Sequence, residues 1–591
     1  MNAMVLLIVC AAILVCGYIF YGGWLAKQWG VDPNRPTPAH EFEDDVDYMP
    51  APPYVVLGHH FSSIAGAGPI NGPIQAAVFG WVPVVLWVLI GGIFFGATHD
   101  FGALFASIRH KGHTLATVVQ ENIDDSAKKL FCVFAYLTLL LVVAAFASIV
   151  ANTFMSTPDK PSVANEQTAS ISLLFIVAAV IWGLLTRGRK LPTAANVIAA
   201  LAVIIVVVAI GYNWHPFQLD YNAWMIIIGI YILVASVAPV WILLQPRDYL
   251  SSYLLYGMII LAVIAIIGSG IAGVSNDLQI PAFTGFYASS AAYDASTGEA
   301  IMNNGVAVVN KAAQGGYLFP ALFVTIACGA ISGFHSLVAS GTTSKQIDRE
   351  SQAQPIGYGG MLIECLLAVV SLCAVGFMWA KYTSGGYTSP TQVFAEGLSL
   401  MLASIPGLSN SANLAYSLLI LAVSVFCLTS LDTATRLARY MFQELWTPEG
   451  KKPEDLTGAH KFFANPYVAT IITVVIGVAL GMGGYTVIWP LFGAANQLLA
   501  ALALLAVCAW LGNAGRNNKM FYIPMLFMLA VTLTSLVQTM VSKGQAIATS
   551  GLAFAPAAQL ILAVLLFVLA IVLAVKGCKT IFGKKKNAAT A

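Results

Sequence analysis

Apolar runs of about 20 residues recur along the whole chain, and that is the length an α-helix needs to cross the hydrocarbon core of a bilayer. Hydrophobic residues make up 59% of the 591 residues and charged residues only 9%. The runs leave no stretch long enough for a separate soluble domain. We therefore predict an all-α polytopic membrane protein with about fifteen transmembrane helices.

Lysine and arginine residues concentrate in the short loops on one predicted side of the membrane, and such loops are typically cytoplasmic. This pattern predicts an N-terminus outside the cell and a cytoplasmic C-terminus. The acidic loop 27–57 is assigned to the cytoplasm and the nearly uncharged loop 274–316 to the outside. A net charge of +2 gives no reason to expect a nucleic-acid partner. The expected surroundings are the lipid bilayer, and the oligomeric state is not predicted.

The segment HHFSSIAGAGPINGP, residues 59–73, interrupts the second apolar run with glycines and prolines. Glycine allows non-helical backbone angles and proline removes a backbone donor, so we expect the helix to unwind near mid-membrane. Freed backbone groups at that depth must lie against protein or line a cavity. The alternative is a kinked helix whose small residues pack closely. The expected substrate-binding residues are Ser62, Ser63, Gly66, Ala67, Gly68, Pro69 and Asn71.

A second interruption is predicted in the seventh span, at Ser236 and Pro239, which are also candidate substrate-binding residues. This span lies five helices after the first interrupted one and runs in the opposite direction, as an inverted five-plus-five repeat requires. The two predicted repeats are residues 58–215 and 216–445. Residues 1–57 are assigned to a first helix with the acidic loop, and residues 446–591 to peripheral helices and a basic tail.

The ninth span ends in polar side chains that can hold a coupling cation. Hydroxyl and carbonyl oxygens can coordinate sodium, and a histidine can carry a proton instead. The alternative is that the hydroxyls bond to their own helix. The candidates are His335, Ser336, Ser340, Thr342 and Thr343.

Ionisable residues are costly inside a membrane unless they are paired or hydrated. We expect those at the inner ends of helices 2, 3, 7 and 11 to form one cluster, with Glu364 as a deeper carboxylate. Three hypotheses stay open, namely a gate that relays protons, a divalent metal site such as zinc, and a structural hydrogen-bonded network. The cluster comprises His59, His60, His99, Asp100, Arg247, Asp248, Asp432 and Arg436. The metal hypothesis uses His59, His60, His99 and Asp100; no other cofactor is expected.

Seven segments spread over nearly the whole chain carry a family resemblance. They are HHFSSIAGAGPINGP, ATHDFGALFASIRHKG, WILLQPRDYLSSYLL, SGFHSLVASGTTSKQI, GYGGMLIE, LTSLDTATRLARY and WPLFGAANQLLAALAL. Together they resemble the carbon starvation protein A family of bacterial inner-membrane transporters. The resemblance implies a five-plus-five inverted repeat of the leucine-transporter type and a location in the cell inner membrane. It also implies secondary uptake of small nutrients, either peptides during starvation or pyruvate with protons.

The expected function is therefore import of peptides, ranked narrowly above pyruvate, with protons or sodium as the coupling ion. Both substrates carry a carboxylate, which backbone amides at an unwound helix can bind. A peptide also needs an acceptor for its ammonium group, for which Asp100, Asp432 and Glu364 are candidates. Two alternatives belong to other classes. The first is an intramembrane metal-dependent enzyme, but the chain has no motif such as HExxH. The second is a nutrient sensor, which would need an output domain.

Overall fold

The computed structural model describes residues 1–591 apart from 45–47, 187–191, 240–241, 275, 295–296, 298, 304–305, 448–454 and 584–591. Within these residues, eleven helices are long and apolar enough to span a membrane, and two shorter apolar helices accompany them. Two further helices are interrupted near their middle. The chain is therefore a helical integral membrane protein, and the predicted number of about fifteen spans is roughly supported. The predicted orientation of the termini stays a prediction.

The helices are labelled in chain order. They are α1 (Ala3–Trp29), α2 (Pro53–Ala65), α3 (Gly68–Ala76), α4 (Trp81–Arg109), α5 (Asp125–Phe154), α6 (Val163–Thr186), α7 (Thr193–Asn213), α8 (Tyr221–Val237), α9 (Leu244–Ile271), α10 (Leu318–Thr325), α11 (Gly333–Gly341), α12 (Glu350–Phe377), α13 (Pro390–Ala403), α14 (Ala412–Trp446), α15 (Pro466–Gly481), α16 (Tyr485–Asn513), α17 (Tyr522–Ser550) and α18 (Phe554–Phe582).

Short elements lie between these helices. The stretch between α9 and α10 carries two small antiparallel pairs, Tyr287–Ala288 with Gly316–Tyr317 and Met302–Asn303 with Val306–Ala307. Short helices lie outside the apolar runs at Pro38–Glu41, Leu115–Asn122, Trp379–Thr383 and Gly458–Phe463.

Two long helices, α5 and α14, pack against each other at the centre of the bundle. Helices α6 and α9 pack against α14, and α16 packs against α5, while α15 packs against both central helices. Helices α1 and α18 lie outside this core and leave large apolar side chains exposed, among them Phe20 and Ile561. Exposed apolar surface of this kind is what a lipid-facing helix presents.

The first interruption is the one predicted from the glycines and prolines. Helix α2 ends at Ala65 and α3 begins at Gly68. Between them Gly66 has φ +44°, a left-handed backbone angle that glycine adopts without the cost borne by other residues. The segment is therefore unwound rather than only kinked.

The helix that packs beside this interruption is itself interrupted, but it is not the one predicted. Helix α10 ends at Thr325 and α11 begins at Gly333, within a stretch that the sequence analysis treated as one continuous span. Helix α2 packs on α11 and α3 packs on α10, so the two interrupted helices run antiparallel. Ser236 and Pro239 instead lie where α8 ends, before α9 begins at Leu244. The division into repeats 58–215 and 216–445 stays a prediction.

The two interruptions are in close contact, which leads to a stability prediction for Gly68. A methyl group at this position would overlap the side chain of Cys328. We expect Gly68→Ala to lower the free energy of unfolding by about 1–3 kcal/mol, because overpacking forces the neighbours apart. The measurement is the thermal unfolding midpoint of the detergent-purified protein, with substrate uptake as a second readout.

The matched control is Gly257→Ala in α9, where an added methyl group has no atom within 4 Å. This variant should unfold at or slightly above the wild-type midpoint, because alanine is the better helix former. Equal midpoints for Gly68→Ala and the wild type would show that the interruptions are not closely packed.

Candidate functional site

The unwound backbone between α10 and α11 is held by two amide side chains of α16. Asn496 Oδ1 accepts a hydrogen bond from the backbone N–H of Phe334 at 2.8 Å, and its Nδ2 donates to Ser332 Oγ at 3.0 Å. Gln497 Nε2 donates to the carbonyl oxygen of Ile326 at 3.2 Å. Backbone groups freed within a membrane need such partners. Neither residue is among those predicted from the sequence, although an adjacent Asn and Gln inside a long apolar run is a signal of such a role.

The first interruption is held in a similar way, by side chains of neighbouring helices. Ser430 Oγ of α14 donates to the carbonyl oxygen of Ser63 at 3.0 Å. Thr391 Oγ1 of α13 donates to Asn71 Oδ1 at 3.0 Å. Hydroxyl side chains of α13 and α14 therefore anchor the predicted substrate-binding segment, and Ser63 Oγ itself has no hydrogen-bond partner among the described atoms.

Removing the Asn496 side chain should destabilise the protein. Asn496→Ala would leave the buried N–H of Phe334 without an acceptor, and such a loss costs about 1–3 kcal/mol. We expect a lower unfolding midpoint in detergent. Asn213→Ala is the control, since that side chain is exposed and donates to the Ala209 carbonyl of its own helix at 2.8 Å. If the two variants unfold alike, Asn496 does not support the interruption.

A buried chain of ionisable side chains lies beside the second interruption, and we call it the Asp100 cluster. It comprises His99 and Asp100 of α4, His335 of α11 and Glu364 of α12, each at most 1% exposed. Asp100 Oδ1 is 2.7 Å from His99 Nδ1, and Asp100 Oδ2 is 2.8 Å from His335 Nδ1. On the far side of the His335 ring, Nε2 lies 3.3 Å from Glu364 Oε2.

This geometry assigns roles to the atoms of the Asp100 cluster. An ionised carboxylate only accepts hydrogen bonds, so an ionised Asp100 receives an N–H from the Nδ1 atom of each histidine. His335 then has Nε2 left to face Glu364. An imidazole and a carboxyl group can each carry a proton, and these two lie 3.3 Å apart. The cluster can therefore bind and release a proton.

A second buried network connects four helices, and we call it the Arg247 network. Arg247 of α9 contacts Asp432 of α14, donates to Tyr231 Oη of α8 at 2.6 Å and to Asp248 Oδ1 at 2.9 Å. His59 Nδ1 of α2 lies 2.9 Å from Asp248 Oδ2. Tyr231 Oη also donates to Asp432 Oδ2 at 2.6 Å.

The ionisable residues thus form two clusters, where the sequence analysis expected one. His59, Arg247, Asp248 and Asp432 belong to the Arg247 network, whereas His99 and Asp100 join His335 and Glu364. Arg436 binds backbone instead, since its Nη2 donates to the carbonyl oxygens of Ala235 at 3.0 Å and Ala238 at 2.6 Å. It thereby satisfies the C-terminal end of α8.

The hydroxyls predicted to hold sodium bond largely to their own segment. Ser336 donates to the Gly333 carbonyl at 2.6 Å, and Ser340 donates to that of Ser336 at 2.7 Å. Thr342 and Ser62 make the same kind of bond, to Val338 at 2.9 Å and Gly58 at 2.7 Å. Thr343 Oγ1 instead lies 2.9 Å from His60 Nδ1. A sodium site at these hydroxyls remains only a prediction.

The structure separates the residues of two other predicted sites, the substrate-binding site and the zinc site. Ser236 Oγ lies 3.4 Å from Thr470 Oγ1 of α15 and Pro239 is exposed just after the end of α8, so the structure does not group them with the candidate residues of the first interruption. Within the predicted zinc site, His59 and His60 turn to separate partners, Asp248 and Thr343. Among the described residues, the group whose ligand atoms all lie within 4.8 Å of one another is Cys328, His335 and Glu364.

A cavity of about 670 Å³ lies beside the Arg247 network. Its lining includes His59, Trp182, Asn196 and Tyr249. A smaller cavity of about 30 Å³ also touches His59 and reaches Arg436. His59 therefore stands between the buried network and accessible space.

Comparisons of the sequence with known proteins all point to one family of membrane transporters. The sequence model of the family described as "Carbon starvation protein CstA" matches residues 2–385 and 378–535. A peptide transporter CstA of Campylobacter jejuni is 31% identical over 605 residues, covering 91% of this chain and 80% of that protein. The peptide transporter CstA of Escherichia coli is 32% identical over 598 residues, covering 90% and 80%. The pyruvate/proton symporter BtsT of Escherichia coli is 28% identical over 617 residues, covering 90% and 81%.

The solved structures that match this chain are more distant. The Eremococcus coleocola manganese transporter, in complex with an aromatic bis-isothiourea substituted compound, has a TM-score of 0.47 and 12% identity, covering 91% of this chain and 99% of that one. MhsT in complex with L-phenylalanine has a TM-score of 0.43 and 12% identity, covering 89% and 99%.

Proposed function

Because the chain belongs to the carbon starvation protein CstA family, we propose that it imports small peptides across the inner membrane by alternating access, driven by protons. The chain is a membrane transporter, since its curated relatives are named transporters along most of its length. These names disfavour the alternatives of an intramembrane enzyme and a nutrient sensor. The peptide substrate, the inward direction of transport and the coupling to protons are what we propose beyond this.

The observation that carries the proposal is the position of the Asp100 cluster. His335 is the third residue of α11, close to the unwound segment that precedes this helix. Its ring lies between Asp100 of α4 and Glu364 of α12. A proton taken up by Glu364 or His335 changes the charge at the point where three helices meet the interruption. Such a change can bias an alternating-access equilibrium, because a buried charge is costly without a partner.

The paired interruptions suit a substrate with two opposite charges. The N-terminal ends of α3 and α11 point into the unwound segments and favour a carboxylate, whereas the C-terminal ends of α2 and α10 favour an ammonium group. A small peptide carries both groups, but pyruvate carries only the carboxylate. This difference is why we place peptides first and keep pyruvate, suggested by the name of one relative, as the alternative.

The test is uptake into proteoliposomes that contain the purified full-length protein. Labelled dipeptide and labelled pyruvate are compared under an imposed inward proton gradient, with and without a protonophore and with sodium absent. Dipeptide accumulation that the protonophore abolishes would support the proposal. Pyruvate accumulation alone would move the chain to the alternative, and accumulation that requires sodium would overturn proton coupling. Uptake of neither substrate would overturn the proposal.

A further inference from the structure

We propose that Cys328, His335 and Glu364 form a binding site for a divalent cation of the zinc class. One ligand atom from each residue lies within 4.8 Å of the others, and all three side chains are at most 1% exposed. Cys328 lies in the unwound segment between α10 and α11, His335 in α11 and Glu364 in α12. A bound cation would therefore connect the second interruption to a neighbouring helix.

The hydrogen bonds of His335 prepare one ring nitrogen for a cation. Its Nδ1 lies 2.8 Å from Asp100 Oδ2, and Asp100 is itself held by His99 at 2.7 Å. A carboxylate that receives the N–H of a histidine fixes the tautomer and directs the lone pair of the other nitrogen outward, which is a common arrangement behind metal-ligating histidines. His335 Nε2 is that nitrogen.

Three of the atoms that face the proposed site, on His335 and Glu364, lack hydrogen-bond partners. Among the described atoms, His335 Nε2 and both carboxylate oxygens of Glu364 are buried and make no hydrogen bond. Buried polar atoms of this kind are rare and costly. A cation at this point would satisfy all three at once, which is the independent observation that the close spacing alone does not provide.

The donor set also selects the class of cation. A thiolate, an imidazole and a carboxylate suit zinc and similar transition metals, whereas magnesium and calcium prefer oxygen ligands. One thiolate and one carboxylate balance the charge of a divalent ion, which matters within a membrane. Asn496 Nδ2, 3.8 Å from Cys328 Sγ, is placed to donate a weak hydrogen bond to the sulfur. Three protein ligands leave a fourth position open.

Binding of the cation does not depend on the proposed transport activity, but its expected effect on transport does. His335 and Glu364 are the groups proposed to carry the proton, so the cation and the proton compete for them. A zinc-class ion should therefore inhibit proton-driven uptake.

The first experiment titrates the full-length protein in detergent with cobalt(II), which reports its ligands by absorption. Coordination by Cys328 predicts a thiolate-to-cobalt charge-transfer band, and zinc should displace cobalt and remove the band. Absence of the band in folded wild-type protein would overturn the proposal, without bearing on transport. Conversely, a band in a protein that takes up neither substrate would support the cation site while the proposed function fails.

Variants then assign the ligands. Cys328→Ser should remove the band, and Glu364→Gln should weaken zinc affinity by at least about tenfold, the range seen when supporting groups of metal sites are altered. The matched control is Cys373→Ser, since Cys373 is a buried thiol of α12 that contacts the carbonyl oxygen of Ala3 at 3.7 Å. If Cys373→Ser removes the band, or Cys328→Ser retains it, the assignment is wrong. If Cys328→Ser does not fold, the proposal is tested by the zinc affinity of Glu364→Gln and by the charge-transfer band of the wild-type protein.

Discussion

Glu364→Gln is expected to abolish proton-driven accumulation of substrate while leaving exchange of substrate across the membrane intact. Glutamine has the size and polarity of a neutral glutamate but cannot release or take up a proton. Glu364 is fully buried and its Oε2 lies 3.3 Å from His335 Nε2, so no solvent group can replace it. A transporter locked in the protonated-like state can still move its binding site between the two sides with substrate bound.

Two assays on the same proteoliposomes separate these steps. Accumulation under an imposed proton gradient should fall to the level of protein-free liposomes, whereas counterflow of labelled against unlabelled substrate should persist. The control is Glu396→Gln, because Glu396 is partly exposed and pairs with Lys381 at 2.7 Å, away from the Asp100 cluster. Full accumulation by Glu364→Gln would show that the coupling proton is bound elsewhere. Loss of both assays in a folded variant would assign Glu364 to substrate binding instead.

Arg247→Ala is expected to cause the largest loss of stability, about 3–5 kcal/mol in the free energy of unfolding. The guanidinium is 1% exposed and contacts Asp248 of α9, Asp432 of α14 and Tyr231 of α8. It therefore connects three helices. Removing it leaves two buried carboxylates without their compensating charge. The midpoint of thermal unfolding in detergent, together with the yield of monodisperse protein, measures the effect.

Two further variants test the origin of that loss. Arg349→Ala removes an arginine that is 72% exposed and sits 3.7 Å from Asp348, so it should cost less than about 1 kcal/mol. Arg247→Ala combined with Asp432→Ala should recover part of the stability, because the second change removes one of the unpaired charges. If Arg247→Ala unfolds at the wild-type midpoint, the Arg247 network does not hold the four helices together.

Local chemistry explains what was predictable about the fold. The apolar length of each run is a property of the run itself, so the number of spans could be estimated without tertiary information. The first interruption was predictable for the same reason, since Gly66, Gly68, Pro69, Gly72 and Pro73 lie within one stretch and each weakens a helix.

The second interruption had no comparable local signal. Residues 326–332, IACGAIS, contain one glycine and no proline. Asn496 and Gln497, far along the chain in α16, stabilise this unwound segment through hydrogen bonds to the Ile326 carbonyl, the Ser332 hydroxyl and the Phe334 N–H. Pro239, close to Ser236, gave a stronger local signal, but it follows the end of α8 at Val237.

For the site, the sequence by itself determined which ionisable residues the membrane must accommodate, because each is costly in an apolar run. Only the tertiary structure decided their partners. Adjacent His59 and His60 point to different faces of α2, so one meets Asp248 and the other Thr343. Likewise, Cys328, His335 and Glu364 converge only because the unwound segment after α10 and the helices α11 and α12 meet at one point. A hydrogen bond or a cation site depends on distances of a few ångströms between segments, and helix packing sets those distances.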